Sequence, residues 1–257
     1  MIMDGYISSK ELLSRNSDDF LASVSIDCII IGFNEGEVKI LLSRFKSHDD
    51  WMLPGGFVFK TESLDEAAYR ILHYRAKLKD CYLRQFNAFG NPDRTNIEEN
   101  RQLLIEQGID PIASHWFLKR FISIGYYVFV NYDQVKEISN IDQQSQWFSL
   151  AKLPVLYSDH NAIVEKAIQS LRSEIWCIPI GLDLLPEKFP ISELRIVYET
   201  ILGRKIDRRN FQRKILSYGL IYKLDEVSKK RGIKETTLFS FNKEKYAYAL
   251  KNGFSFF

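Results

Sequence analysis

Two groups of residues in this chain have side-chain types and spacing suited to chemistry. The first surrounds Pro54-Gly55-Gly56, a turn at which the backbone can come close to a ligand. The carboxylates Glu62, Asp65 and Glu66 follow it, with Arg70 and Arg75 beyond them. Hard oxygen ligands of this kind are what magnesium requires, and bound magnesium neutralises developing phosphate charge and activates water. The second group is Arg208, Arg209, Asn210, Gln212, Arg213 and Lys214. Arginine pairs with guanine in a bidentate manner, Asn and Gln do so with adenine, and a helix N-terminus favours phosphate, so these types suit a major groove. A solvated polar helix face is the alternative reading of the same residues.

The elements around the first group follow from periodicity. Ser25 to Phe33 and Val38 to Phe45 are apolar or β-branched runs about Asn34-Glu35-Gly36-Glu37, which predicts a β-hairpin. Trp51 to Phe59 reads as a third strand interrupted by the Pro-Gly-Gly turn. Ser63 and Glu66 form a capping box, and Leu64, Ala67, Ala68, Ile71 and Leu72 recur on one face, predicting a helix to about Ala76. Phe121 to Val130 and Ser145 to Leu150 read as strands, and Leu153-Pro154 turns into a helix from about Asp159 to Arg172. Between them, Asn96 to Lys119 carries Glu98-Glu99, Leu103, Leu104 and Gly108, which suggests a short surface helix acting as a lid or a dimer element. Arg44, Arg75, Asp93 and Arg94, with Gly55 and Gly56, are the candidate ligand-binding residues. For each charged member taken alone, a surface ion pair is the favoured reading.

Charge divides the chain in two. From Pro190 to Phe257 there are 15 basic against 7 acidic residues, a net of +8, while residues 1–189 carry 20 against 26, a net of −6. Such a tail points to a polyanion, most plausibly nucleic acid. Within it, Ser192 is placed to cap a helix carrying Leu194, Val197, Tyr198 and Ile201 and ended by Gly203. Asp207 is the expected N-cap of the next helix, with Ile206 and Phe211 as a hydrophobic staple and Ile215 continuing the buried side before Gly219. Helix, short turn and basic helix read as helix-turn-helix. Leu220 to Lys223 and Thr236 to Phe241 read as strands joined through Lys229-Lys230-Arg231, a wing able to contact phosphates. The domains expected are 1–175 with an insertion at about 96–119, a linker at 176–189, and 190–257.

Composition bounds the remaining classes. With 257 residues, 46% hydrophobic and 26% charged, the chain reads as one large or two modest folded domains. No apolar run approaches the roughly 20 residues of a membrane span, and the start lacks a signal-peptide pattern, so the expectation is a cytoplasmic protein with no membrane partner. Cys28, Cys81 and Cys177 are far apart and His48, His73, His115 and His160 are single, which fits reduced core thiols better than disulfides or zinc.

Trp51, Leu53, Pro54, Gly55 and Gly56, then Glu62 after five residues and Arg70 after seven more, resemble the Nudix box. That family's motif continues with three helix carboxylates. Here Ile71, Tyr74 and Arg75 stand in their places, at the i, i+3, i+4 spacing of one helix face. Trp147, Leu150 and Leu153-Pro154 are also similar to the way Nudix domains end. The resemblance implies a Nudix-like α/β/α sandwich, and the missing carboxylates argue against hydrolysis and a bound metal; no cofactor is expected. A degenerate Nudix-like body followed by a winged helix resembles, over nearly the whole chain, the Nudix-related transcriptional regulators. That resemblance implies an α+β chain in which a sugar or ADP-ribose effector binds the first domain and a homodimer binds double-stranded operator DNA. The alternatives are an active magnesium-dependent hydrolase of nucleoside diphosphate derivatives, drawing ligands from Glu62 and Glu66, and an inactive adaptor.

Overall fold

A computed structural model describes residues 8–79, 81–112, 114–135, 137, 143–175, 177–228 and 235–252. The chain divides into two compact units, 1–30, 40–128 and 135–167 in one, and 31–39, 129–134 and 168–257 in the other.

A short helix α1 (Ser9–Leu13) precedes the hairpin of β1 (Phe20–Asn34) and β2 (Glu37–Phe45). Its loop residues Glu35 and Gly36 both have positive φ, 52° and 77°, the pair of left-handed positions that a two-residue type I′ turn needs. β1 is buried on both faces from Ile26 to Phe33, which explains an apolar run broken only by Asp27 and Gly32. It starts five residues earlier than expected, because Phe20 pairs with Phe59 across an irregularity between Phe20 and Ser25 that breaks the alternation. β3 (Gly55–Phe59) runs antiparallel to β1, with Gly56 opposite Ile26 and Gly55 opposite Asp27. Trp51 and Met52 make single bridges, to Leu156 and Ser43, so the third strand begins only after Pro54, at Gly55.

α2 (Leu64–Ala76) has the reciprocal Ser63–Glu66 capping box and buries Ala67, Ala68, Ile71 and Leu72. β4 (Leu83–Phe89) has no counterpart among the sequence expectations. Among the described residues it is an edge strand paired only with β5 (Ile122–Phe129), and none of its residues is fully buried, so it carries no clean alternation. β6 (Gln143–Ser149) completes a sheet of order β4-β5-β1-β2-β6, with β3 on β1. The 96–119 segment forms α3 (Ile97–Glu106), capped by Asn96. It is no loose surface helix: Asn100, Leu103 and Leu104 are buried, and Leu104 joins Leu13 and Leu118 in a cluster flanked by Phe57, Trp116 and Phe117. Trp116 meets Phe57 edge-on at 4.7 Å and donates its indole N–H to Arg15 O. α4 (His160–Glu174) follows the 153–159 turn, where the Asn161 side chain accepts from Leu156 N–H and donates to Pro154 O.

In the second unit, β7 (Phe189–Pro190), α5 (Ile191–Leu202), α6 (Arg208–Ser217), β8 (Ile221–Ser228), β9 (Thr236–Phe241) and α7 (Lys243–Asn252) build a helical core beside a β7-β9-β8 sheet. Ser192 is not the cap of α5. The helix starts two residues earlier, from Pro190 and with no side-chain cap, because Phe189 pairing with Phe239 fixes the entry. The passage read as a linker buries Ile178, Ile180, Leu184 and Leu185, and Tyr246 of α7 donates its hydroxyl to Pro179 O. Of the cysteines, all free, only Cys28 is a core thiol; Cys81 is half-buried and Cys177 exposed. Burial pushes the Cys28 thiol well above its ordinary value.

A buried carboxylate sets the turn between α5 and α6. Glu199, 6% exposed, accepts from Ile206 N–H at 2.9 Å, from Lys205 at 3.2 Å and from Arg195. Burial pushes this carboxyl up, but the bonds from Ile206 and Lys205 and the charge of Arg195 outweigh it and hold it below the usual range. Its stabilisation is therefore present at neutral pH and lost as pH falls through the lowered value. Glu199→Ala leaves a buried N–H without its acceptor and is expected to cost about 1 to 3 kcal/mol in urea unfolding. Glu199→Gln should flatten the acid limb of melting temperature against pH.

Candidate functional site

The floor of the site is the Gly55-Gly56 backbone. A Cβ on Gly55 would lie 2.5 Å from Asp27 Oδ1 and 2.8 Å from Ile26 O, and one on Gly56 would lie 3.0 Å from Ile71. Glycine is therefore required at 55 by the close approach of β1, whose Asp27 sits directly opposite in the register. Arg70 braces the far side. It binds Glu62 through Nε at 2.8 Å and through Nη2 at 2.5 Å, and donates to Phe57 O at 2.7 Å.

Above this floor lies a cavity of about 130 Å³ within the first unit. Its polar end is made by buried groups from several elements. Asp27 of β1 accepts from Ser123 of β5, and Arg94 Nη2 and His160 Nε2 lie 3.8 and 3.6 Å from its carboxyl oxygens. Arg94 binds Asp159 through two 3.0 Å bonds and donates to Phe121 O at 3.3 Å. His160 Nδ1 accepts from Leu53 N–H at 2.9 Å, so the ring proton is on Nε2, which faces Asp27. Tyr157 donates to Asn100 of α3, whose amide donates to Phe117 O, and this ties the 96–119 segment to the cavity wall. Burial, with the charge of Glu99 next, pushes the Tyr157 hydroxyl far above its ordinary value and keeps it a neutral donor. The other end is apolar, with Phe57, Phe121 and Leu103.

Of the six candidate ligand residues, the structure brings together Gly55, Gly56, Arg75 and Arg94 as cavity lining. Arg75 Nε donates to Gly55 O at 3.4 Å. Arg44 is not in this set: it lies 4.6 Å over the Trp51 ring and donates to Gln144 at 3.3 Å. Asp93 is exposed on its turn, outside the lining, because the chain turns Arg94 inward and Asp93 outward. Sequence reasoning missed Asp27, Tyr157 and the part played by His160. An acidic residue inside the apolar Ser25 to Phe33 run was the one available signal.

The helix face of the degenerate box does not fit magnesium. Ile71 is buried, Arg75 brings a positive charge, and the nearby carboxylates are engaged: Glu62 by Arg70, Asp65 by Tyr126 at 2.7 Å and Glu66 by its capping box. Hydrogen bonds from the Ser63 backbone and side chain hold the Glu66 carboxyl below its ordinary value. Among the described residues no group of three or more His, Cys, Asp or Glu could hold a metal ion.

In the second unit, α6 begins at Asp207, whose side chain accepts from Asn210 N–H. Phe211 and Ile215 are buried, and Phe211 meets Tyr198 of α5 edge-on at 5.3 Å, which fixes the rotation of the helix. Arg208, Arg209, Asn210, Arg213 and Lys214 are thereby exposed and Gln212 is half-buried, with Arg213 donating to Asn210 at 3.0 Å. Lys229, Lys230 and Arg231, expected in the wing, lie outside the described residues.

Residues 181–241 match the family model of the NrtR DNA-binding winged helix domain. The chain is 25% identical over 233 residues to the ADPR responsive transcriptional repressor NtrR of Acinetobacter baylyi, covering 88% of this chain and 84% of that one. Its fold is similar to Shewanella oneidensis NrtR solved with a 27mer DNA, with a TM-score of 0.65, 21% identity and coverage of 90% and 99% of the two chains. A MutT/nudix family protein from Enterococcus faecalis is also similar, with a TM-score of 0.60, 22% identity and coverage of 86% and 87%. The fold is a Nudix-like α/β body followed by a winged helix.

Proposed function

We propose that this chain is a Nudix-related transcriptional regulator, in which α6 reads operator DNA and the Gly55-Gly56 cavity binds the effector, with ADP-ribose as the first candidate. The observation that carries this is the exposed basic face of α6 in a winged helix, joined to a Nudix-like body whose metal face holds Ile71 and Arg75. The relative from Acinetobacter baylyi, named as ADPR responsive, supports both the class and the effector. The chain acts as a homodimer on a two-fold symmetric operator, so each recognition helix meets one half-site. Effector shifts the population toward the dimer arrangement it binds better, and only a difference in affinity between arrangements can alter DNA binding.

The test is a gel shift against DNA upstream of the gene, at fixed salt and with nonspecific competitor. Competitor-resistant binding that changes on adding ADP-ribose is the expected result; binding no tighter than to random DNA would refute it. In parallel, ADP-ribose incubated with magnesium should release no product above the no-enzyme rate. Magnesium-dependent hydrolysis abolished by Glu62→Gln would restore the hydrolase reading.

A further inference from the structure

Helix α4 belongs to both compact units, with His160 to Ala167 in the first and Ile168 to Glu174 in the second. Its first residue is held in the cavity wall. His160 Nδ1 accepts from Leu53 N–H at 2.9 Å, its Nε2 lies 3.6 Å from Asp27, and Asp159 just before it takes two bonds from Arg94. A ligand that rearranges the groups around Asp27 therefore acts on the start of α4. Arg172 stands in the last turn of the same helix, a rise of about 18 Å further on. A helix is hydrogen-bonded along its length, so it carries a displacement from one end to the other as a rigid element.

Arg172 meets the end of α5. The last carbonyls of a helix have no partner within it and must find one elsewhere. Here Glu199 O and Thr200 O are taken by the backbone N–H groups of Arg204 and Gly203, and Ile201 O by Arg172 Nε at 2.6 Å. The guanidinium also crosses Gly203, whose φ is 68° and where a Cβ would lie 3.1 Å from Arg172 Nη2. A cation in the last turn of α4 that reaches the last turn of α5 is favoured by both helix dipoles. Beyond Gly203, only Arg204, Lys205 and Ile206 lead to Asp207, the cap of α6, and Ile206 N–H is fixed by Glu199. We infer that Arg172 is a positioning residue for effector control of DNA binding. It ties α4, whose start lines the cavity, to the turn that sets the start of α6. The inference rests on the effector and operator readings above and adds the route between them.

The test is fluorescence anisotropy of the full chain on operator DNA, with and without saturating ADP-ribose, beside calorimetry of ADP-ribose alone. In the unaltered chain ADP-ribose is expected to change operator affinity by about fivefold or more, the usual range of coupling between two sites. Arg172→Ala should bring that change below about twofold, with operator affinity in the absence of ADP-ribose, and ADP-ribose affinity in the absence of DNA, both near wild type. Arg172→Lys keeps the cation without the planar fork and should restore part of the coupling. Arg172 is exposed, so both variants should melt as wild type. Full coupling in Arg172→Ala overturns the inference and leaves the regulator reading standing. Lowered affinities with the coupling retained would mean a structural role only, and would overturn it too. An unaltered chain whose operator affinity ADP-ribose does not move removes ADP-ribose as the effector, and the inference with it. Hydrogen exchange of the unaltered chain decides the matter even if the variants fail to fold. ADP-ribose should alter the protection of the Arg204 and Ile206 amides, both bonded to Glu199. Unchanged protection there, while operator affinity responds, overturns the route.

Discussion

Arg209→Ala and Arg213→Ala are each expected to weaken operator binding by about 5- to 150-fold, since a well-placed arginine on a base edge contributes roughly 1 to 3 kcal/mol of discrimination. Both side chains are exposed on the first turns of α6, and neither contributes to its buried side, which is Phe211 and Ile215. The helix itself is weakened little, because Arg213 to Asn210 is an i, i+3 surface pair worth roughly 0.2 to 0.5 kcal/mol. The melting temperature and ADP-ribose affinity should therefore stay at wild-type values while fluorescence anisotropy with operator DNA shows the weakening. Lys214→Ala is expected to act differently. A lysine on a phosphate weakens all sequences alike and lowers the slope of log K against log salt by about 0.9 per phosphate. Operator affinity unchanged in both arginine variants would remove α6 as the recognition helix.

The elements around both sites were legible because each is set by neighbours in sequence. The Ser63–Glu66 capping box, the two-residue Glu35-Gly36 turn and the Asp207 cap are local devices, and the structure places all three where residue types indicate. What was not legible depends on register and topology. Asp27 matters because it pairs opposite Gly55, because β5 beside β1 brings Ser123 to it, and because the start of α4 brings His160 from 133 residues away in the chain. None of those partners is within a turn of it in sequence. α7 was likewise missed, although Asn242 caps it by accepting from Lys245 N–H. Arg44 shows the opposite error. A strand-end arginine reads as a ligand-binding group, and the stacking of its guanidinium on Trp51 emerges only once the bridge from Met52 to Ser43 has folded that segment back.

Arg94→Ala should be the most damaging single change in the first unit, costing about 3 to 5 kcal/mol, the range for removing one partner of a buried ion pair. The Arg94 side chain is 7% exposed and lies between Asp27 at 9% and Asp159 at 21%, so its removal leaves two carboxyl groups facing each other with little water to screen them. It also takes the donor from Phe121 O, where β5 is entered. Arg94→Lys keeps the charge but cannot reproduce the paired bonds to Asp159, and should recover only part of the stability. A double-mutant cycle with Asp159→Asn isolates the pair: removing both partners together should cost less than the sum of the two single changes. Additive costs would mean that Arg94 acts by packing alone. Because Arg94 and His160 both face the Asp27 carboxyl in the cavity lining, the same variant should also lower affinity for an effector bound there. The drop in stability and the drop in ligand affinity then have one physical origin, a polar cluster held open by an arginine that must stay charged and in place.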